Sequence, residues 1–134
     1  MNIISNDSKC CIPLGGSDTW NMLCSTVMYH LSAVKKQLSN AFLFLENGQI
    51  EYSSCLNAAR EFNLIRDALS QISPDQIVYD ARNPQIQPPW GNNISPVITS
   101  CANYLTTGNG DDLLAEIVKL LTYAAYAKTN VHIE

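Results

Sequence analysis

The softest nucleophiles and metal ligands in this chain, and its bases that titrate nearest neutral pH, are five cysteines and two histidines. Cys10 and Cys11 are adjacent, a spacing that suits neither an ordinary disulfide nor a zinc knuckle. Cys24, Cys55 and Cys101 complete an odd set without a framework spacing. Free thiols in a reducing compartment are therefore expected. His30 sits between Tyr29 and Leu31 in a helical pattern, with no carboxylate or cysteine at ligand spacing, and His132 sits near the end of the chain. Both read as structural, and no metal quartet assembles around them. A Cys101–histidine pair would be a nucleophile and its base, but nothing beyond the residue types supports it. Gly108-Asn109-Gly110 precedes a helical pattern, where an anion could sit. Asp111 and Asp112 occupy that same positive helix end and would repel it. They read as helix-start charges rather than as an acid–base pair. No catalytic residue, metal site, cofactor or small-molecule substrate is expected.

The elements that would position any site can be read from periodicity. Ile3–Ile4 and Cys10–Leu14 could form two short strands or one hairpin. Gly15-Gly16 breaks the chain, and Ser17 or Asp18 would cap a helix. Trp20, Leu23, Cys24, Val27, Leu31, Val34 and Leu38 then recur at three- and four-residue steps, predicting one helix over about 18–40. Ala41–Leu45 is wholly apolar and reads best as more helix, ended by Asn47-Gly48. A second helix is predicted over 54–72, capped by Ser53 or Ser54, with Cys55, Ala58, Ala59, Phe62, Ile65, Ala68 or Leu69, and Ile72 as its apolar stripe. Cys24 and Cys55 fall on apolar faces and read as small buried hydrophobes.

Ser73–Pro96 then concentrates Pro74, Pro84, Pro88, Pro89 and Pro96, together with Trp90. Gln76–Asp80 reads as a short strand between turns. The prolines that follow remove backbone donors and fix φ, so an extended connection is expected over 83–90. Gly91-Asn92-Asn93 reads as a turn. Trp90 has two readings: it folds back to plug the sheet edge or core, or it is displayed for a partner. Tyr104–Thr107 reads as a strand, 111–128 as the last helix and Val131–Glu134 as a closing strand, an order that suggests a right-handed parallel crossover. The whole is a single α+β (mixed α/β) domain over 1–134. It would combine a two-helix hairpin, short strands in a small sheet, and a C-terminal strand–helix–strand unit, with one layer of helices on the sheet.

Composition narrows function. The chain has 134 residues, 46% hydrophobic and 15% charged, with a net charge of −4. That length supports one self-sufficient core. The charge disfavours nucleic-acid binding, which wants basic patches. No apolar run is long enough for a membrane span. Nor does the N-terminus show the basic start and apolar middle of a secretory signal, so a cytoplasmic location is expected. The second half carries Asp75, Asp80, Asp111, Asp112, Glu116 and Glu134 against Arg82, Lys119 and Lys128, so a cationic partner would be drawn there.

Ser73-Pro74, Val78-Tyr79-Asp80, Pro88-Pro89-Trp90-Gly91, Tyr104-Leu105-Thr106 and Gly110–Leu113 stand in one order. This pattern, over about 54–134, resembles a family of bacterial immunity proteins of polymorphic-toxin and contact-dependent growth-inhibition systems. Tyr79 stands where that pattern has Trp. The resemblance implies a non-enzymatic inhibitor that binds the C-terminal toxin domain of a sister-cell delivery protein. Such toxins are often nucleases, whose cationic clefts an acidic surface would complement. Pro88, Pro89, Trp90 and Gly91 would then be scaffold. Partner contact would fall on exposed polar residues: Asp75, Asp80, Asn92, Asn93, Asp111, Asp112 and Glu116. The alternatives are an adaptor domain with another protein partner, and a thiol enzyme using Cys10, Cys11 or Cys101.

Overall fold

Alternation of apolar and polar residues at the N-terminus produces a strand, β1 (Asn2–Ser5), whose Ile3 and Ser5 are buried while Ile4 faces the other side. It pairs antiparallel with β2 (Cys11–Pro13) and with β4 (Val131–Ile133), and β4 pairs antiparallel with β3 (Gln49–Ile50). The sheet order is β2-β1-β4-β3. The computed structural model describes all residues, 1–134. Four α-helices complete it: α1 (Ser17–Leu31), α2 (Ser39–Asn47), α3 (Tyr52–Leu69) and α4 (Leu113–Ala127). The class is α+β, as the periodicities predict. Helical stripes and the inner face of the sheet share one core, which includes Ile3, Ile12, Val131, Phe44, Phe62 and Leu121. Fully burying each such side chain contributes about 1.5–3 kcal/mol.

Several expectations change in detail. The helix predicted over 18–40 breaks into α1, a 3₁₀ stretch (Ser32–Leu38) and α2, and Val34 leaves helical geometry. The reason lies across the core. Glu61 of α3 accepts from the Ala41 amide at 2.9 Å and from the Asn40 side chain at 2.8 Å. It thereby caps a new helix start and complements its positive end. Similarly, α3 begins at Tyr52 rather than at Ser53 or Ser54, because Asn130 accepts from the Tyr52 amide at 2.9 Å. At α1 the cap position is Gly16, with no side-chain cap from Ser17 or Asp18. Other ends follow local chemistry. Gly48 adopts a left-handed conformation (φ 70°) and closes α2 on the Phe44 carbonyl. Asp112 caps α4 by accepting from the Ala115 amide.

No strand forms at Gln76–Asp80, and Tyr104–Thr107 contributes only one isolated bridge, Thr106 to Asp112. The Leu105 carbonyl accepts from Leu113 and the Asp111 carbonyl from Thr107, so this segment folds back onto the start of α4 instead of joining the sheet. With no leading strand there is no parallel crossover: β4 runs antiparallel between β1 and β3. Pro13 at the β2 edge lacks a donor, and its carbonyl is covered by the Gly108 amide at 2.6 Å.

The β1–β2 turn is organised by Asp7. Its carboxylate accepts from the Ser5 and Tyr123 hydroxyls, both at 2.6 Å, and from the Lys9 amide. Those bonds, Ser5 first, lower its pKa from 3.8 to about 2. The stability this confers is present above the unfolded value and is lost as pH falls through the folded one. The denaturation midpoint should therefore drop as pH is lowered from 3.8 to about 2, and Asp7→Asn should flatten that drop. Separately, Glu61→Ala is expected to destabilise by about 1–2 kcal/mol, seen as a lower urea midpoint. Glu61→Gln keeps an acceptor for Ala41 and should lose less.

Candidate functional site

Between Leu69 and Leu113 the chain forms no α-helix and no strand, only a 3₁₀ turn at Pro74–Gln76 and the single bridge. Loops beyond about 12–15 residues without regular structure are uncommon in a compact domain, and ordered ones usually carry function. The prolines explain the irregularity, since each removes a backbone donor. What holds the segment in place is a series of side-chain clamps.

The first clamp is α1. The Thr26 hydroxyl accepts from the Val78 amide at 3.0 Å and donates to the Val78 carbonyl at 3.3 Å. Val78, expected to pair within a strand, has both backbone groups taken by one side chain. Ser25 accepts from the Ala81 amide, and the His30 Nε2–H donates to the Gln76 carbonyl at 2.8 Å. The Tyr79 hydroxyl donates to Asp18, whose carboxylate, with burial, raises the phenol pKa. Asp18, Ser25, Thr26 and His30 thus lay residues 76–81 along α1. The second clamp is Cys101, whose amide donates to the Ile72 carbonyl and whose thiol donates to Ser73. Between them, Trp90 is tied by one edge only: its indole N–H donates to the Tyr104 hydroxyl at 2.6 Å while the residue stays 44% exposed. It neither plugs the sheet edge nor enters the core. Pro88 is buried beneath it, and Gly91 takes a positive φ of 59° that a β-carbon would strain.

The expected contact residues divide. Asp75, Asn92, Asn93 and Asp111 are exposed. Asp80 is drawn into its own turn, accepting from the Arg82 backbone and guanidinium, which lower its pKa. Asp112 is occupied as the α4 cap, and Glu116 pairs with Lys119 at 3.2 Å. Asp80 lines a cleft of about 390 Å³ with Asp18, Tyr79 and Arg82, while Asp111, Asp112 and Glu116 lie together at the start of α4. Three apolar side chains of the same irregular segment, Ile86, Trp90 and Val97, are also exposed, and Val97 is 76% exposed. Ile86 and Val97 escaped sequence reasoning, because isolated apolar residues in a proline-rich stretch carry no periodicity.

Four of the thiols, Cys10, Cys24, Cys55 and Cys101, are shifted away from the thiolate form. Burial pushes the Cys24 pKa to about 12 and those of Cys55 and Cys101 to about 11. Burial and the Asp7 charge also raise Cys10. His132 bonds to Asn6 and His30 to the Gln76 carbonyl, so each ring has a structural partner. No group of three or more His, Cys, Asp or Glu side chains is placed to hold a metal ion. No helix is long and apolar enough to cross a membrane.

Thr26→Val removes both bonds to Val78 at nearly constant volume. It is expected to cost about 2 kcal/mol or more, since two buried backbone groups lose their partner. Hydrogen exchange should localise the change: the Val78 and Ala81 amides should exchange at least tenfold faster while α3 and α4 keep their protection.

Comparison with curated proteins and with solved structures found no match. A family model described as immunity protein 70 matches residues 6–133, and so takes in the N-terminal strands and α1 as well as the motif-bearing second half. The chain belongs to the immunity protein 70 family.

Proposed function

We propose that the protein neutralises a cognate toxin domain by stoichiometric protein–protein binding, and that residues 73–112 form the main contact surface. Family membership supports the immunity role. The feature that favours this surface is the anchored irregular segment, in which Ile86, Trp90, Val97, Asp75, Asn92, Asn93 and Asp111 are all exposed. An exposed Trp such as Trp90 is among the residue types most enriched at binding hot spots. Clamping by α1 and Cys101 lowers the ordering cost of association.

The partner this surface would suit is the C-terminal toxin domain of a contact-dependent growth-inhibition or related delivery protein, met in the cytoplasm. A nuclease is the favoured activity. Its phosphate-binding cleft must be cationic, and the acidic second half of this chain, within a net charge of −4, would speed capture. Inhibition needs no turnover by the immunity protein itself.

The test is co-expression with the toxin domain encoded immediately upstream. Growth should be rescued and the two chains should co-purify. If the toxin still kills and the proteins elute separately, the reading fails. Val97→Arg, on a side chain with little packing to lose, should weaken the complex at least tenfold without shifting thermal unfolding. Association should slow as salt is raised, because the attraction is screened.

A further inference from the structure

A second concavity lies away from the proline-rich segment. It is a groove of about 520 Å³ where α2, β3, β4 and the start of α3 meet. The Tyr52 amide bonds to Asn130 just beyond α4, so α3 begins where α4 ends. The groove therefore opens at the end of the α3–α4 pair opposite to Leu69 and Leu113, which anchor the loop.

Five carboxamides line it: Asn6, Asn40, Asn47, Gln49 and Asn130. Three are half-used. Asn6 bonds to His132 through its oxygen, Asn130 accepts from Tyr52 through its oxygen, and Asn40 donates its amide to Glu61. This leaves the amide donors of Asn6 and Asn130 and the carbonyl acceptor of Asn40. Asn47 and Gln49 are exposed and make no side-chain hydrogen bond within the fold. The groove thus offers donors and acceptors in mixed supply, with Glu51 its one carboxylate and no lysine or arginine.

Backbone geometry adds a further pair. Gly48 and Ile133 are opposite one another, and the Ile133 amide donates to the Gly48 carbonyl at 2.8 Å. Two residues along, Ile50 faces Val131 in the same kind of hydrogen-bonded pair. Gln49, opposite His132, is therefore the non-bonded position, and its N–H and C=O point away from β4. β3 is the edge of the sheet, so these groups have no neighbouring strand.

A phosphate ligand would need cations, and a sugar would favour an aromatic platform; His132 is the only ring in the lining. A peptide main chain needs alternating donors and acceptors, which carboxamides and a strand edge supply. We infer that this groove takes an extended segment of the cognate toxin, bridged by main-chain hydrogen bonds to Gln49 and by side-chain amides of Asn47, Gln49 and Asn130. The inference rests on the toxin-binding reading above and adds a second contact, remote from the loop's anchors.

Hydrogen exchange of the protein alone and in complex with its toxin domain tests it. The Gln49 amide should exchange rapidly in the free protein and at least tenfold more slowly in the complex. The combined variant Asn47→Ala, Gln49→Ala should weaken binding at least tenfold with unchanged thermal unfolding, since neither side chain is used by the fold. If the complex forms but Gln49 exchange and the affinity of that variant are unchanged, the groove inference is overturned while the proposed function stands. If no complex forms with either protein, both are overturned.

Discussion

The apolar seam between α3 and α4 is the constraint on which the other features rest. Phe62, Ile65 and Leu69 from one helix and Leu113, Ile117 and Leu121 from the other are all nearly or wholly excluded from solvent. This seam fixes the two ends of the long irregular segment, Leu69 and Leu113, relative to one another. With its ends already held, the segment no longer bears the closure entropy of a free loop. The same helices organise the opposite end, where Asn130 beyond α4 caps α3 and β4 enters the sheet. α3 also reaches sideways, and its Glu61 decides where α2 begins.

A chain that cannot form ladders must satisfy its backbone polar groups by other means. The segment solves this with side chains of neighbouring elements, above all the Thr26 hydroxyl that serves both backbone groups of Val78. Few such clamps hold many residues, and Asn92, Asn93 and Val97 between them stay exposed. Within the Pro88–Gly91 motif, Pro88 is buried, Gly91 makes the turn, and Trp90 donates its N–H to Tyr104.

The charges divide by role in the same way. Several acids of the second half are engaged within the fold, with Asp112 capping α4, Glu116 facing Lys119 and Asp80 holding Arg82. Exposed ion pairs of this kind contribute little to stability, and they leave the overall negative field in place. Asp75 and Asp111 remain outward-facing acids without such partners.

What could be read from the chain alone was whatever is encoded over a few residues. The stripe Cys55, Ala58, Ala59, Phe62, Ile65 announces α3 because helical period is local, and Gly48 announces its cap because a cap acts within one turn. Short apolar runs misled. Gln76–Asp80 and Tyr104–Thr107 have strand composition, yet a strand needs a neighbour, and none is beside them. The break at Ser32–Leu38 was equally hidden, since its cause, Glu61, lies more than a helix away. The amide groove draws on Asn6, Asn40, Asn47, Gln49 and Asn130, residues without any common period. Sequence thus determined the class of the fold and the presence of its main helical stretches, through interactions that close within a turn. Only tertiary structure decided which distant side chain satisfies each irregular backbone group, because that pairing depends on which elements the packed core brings together.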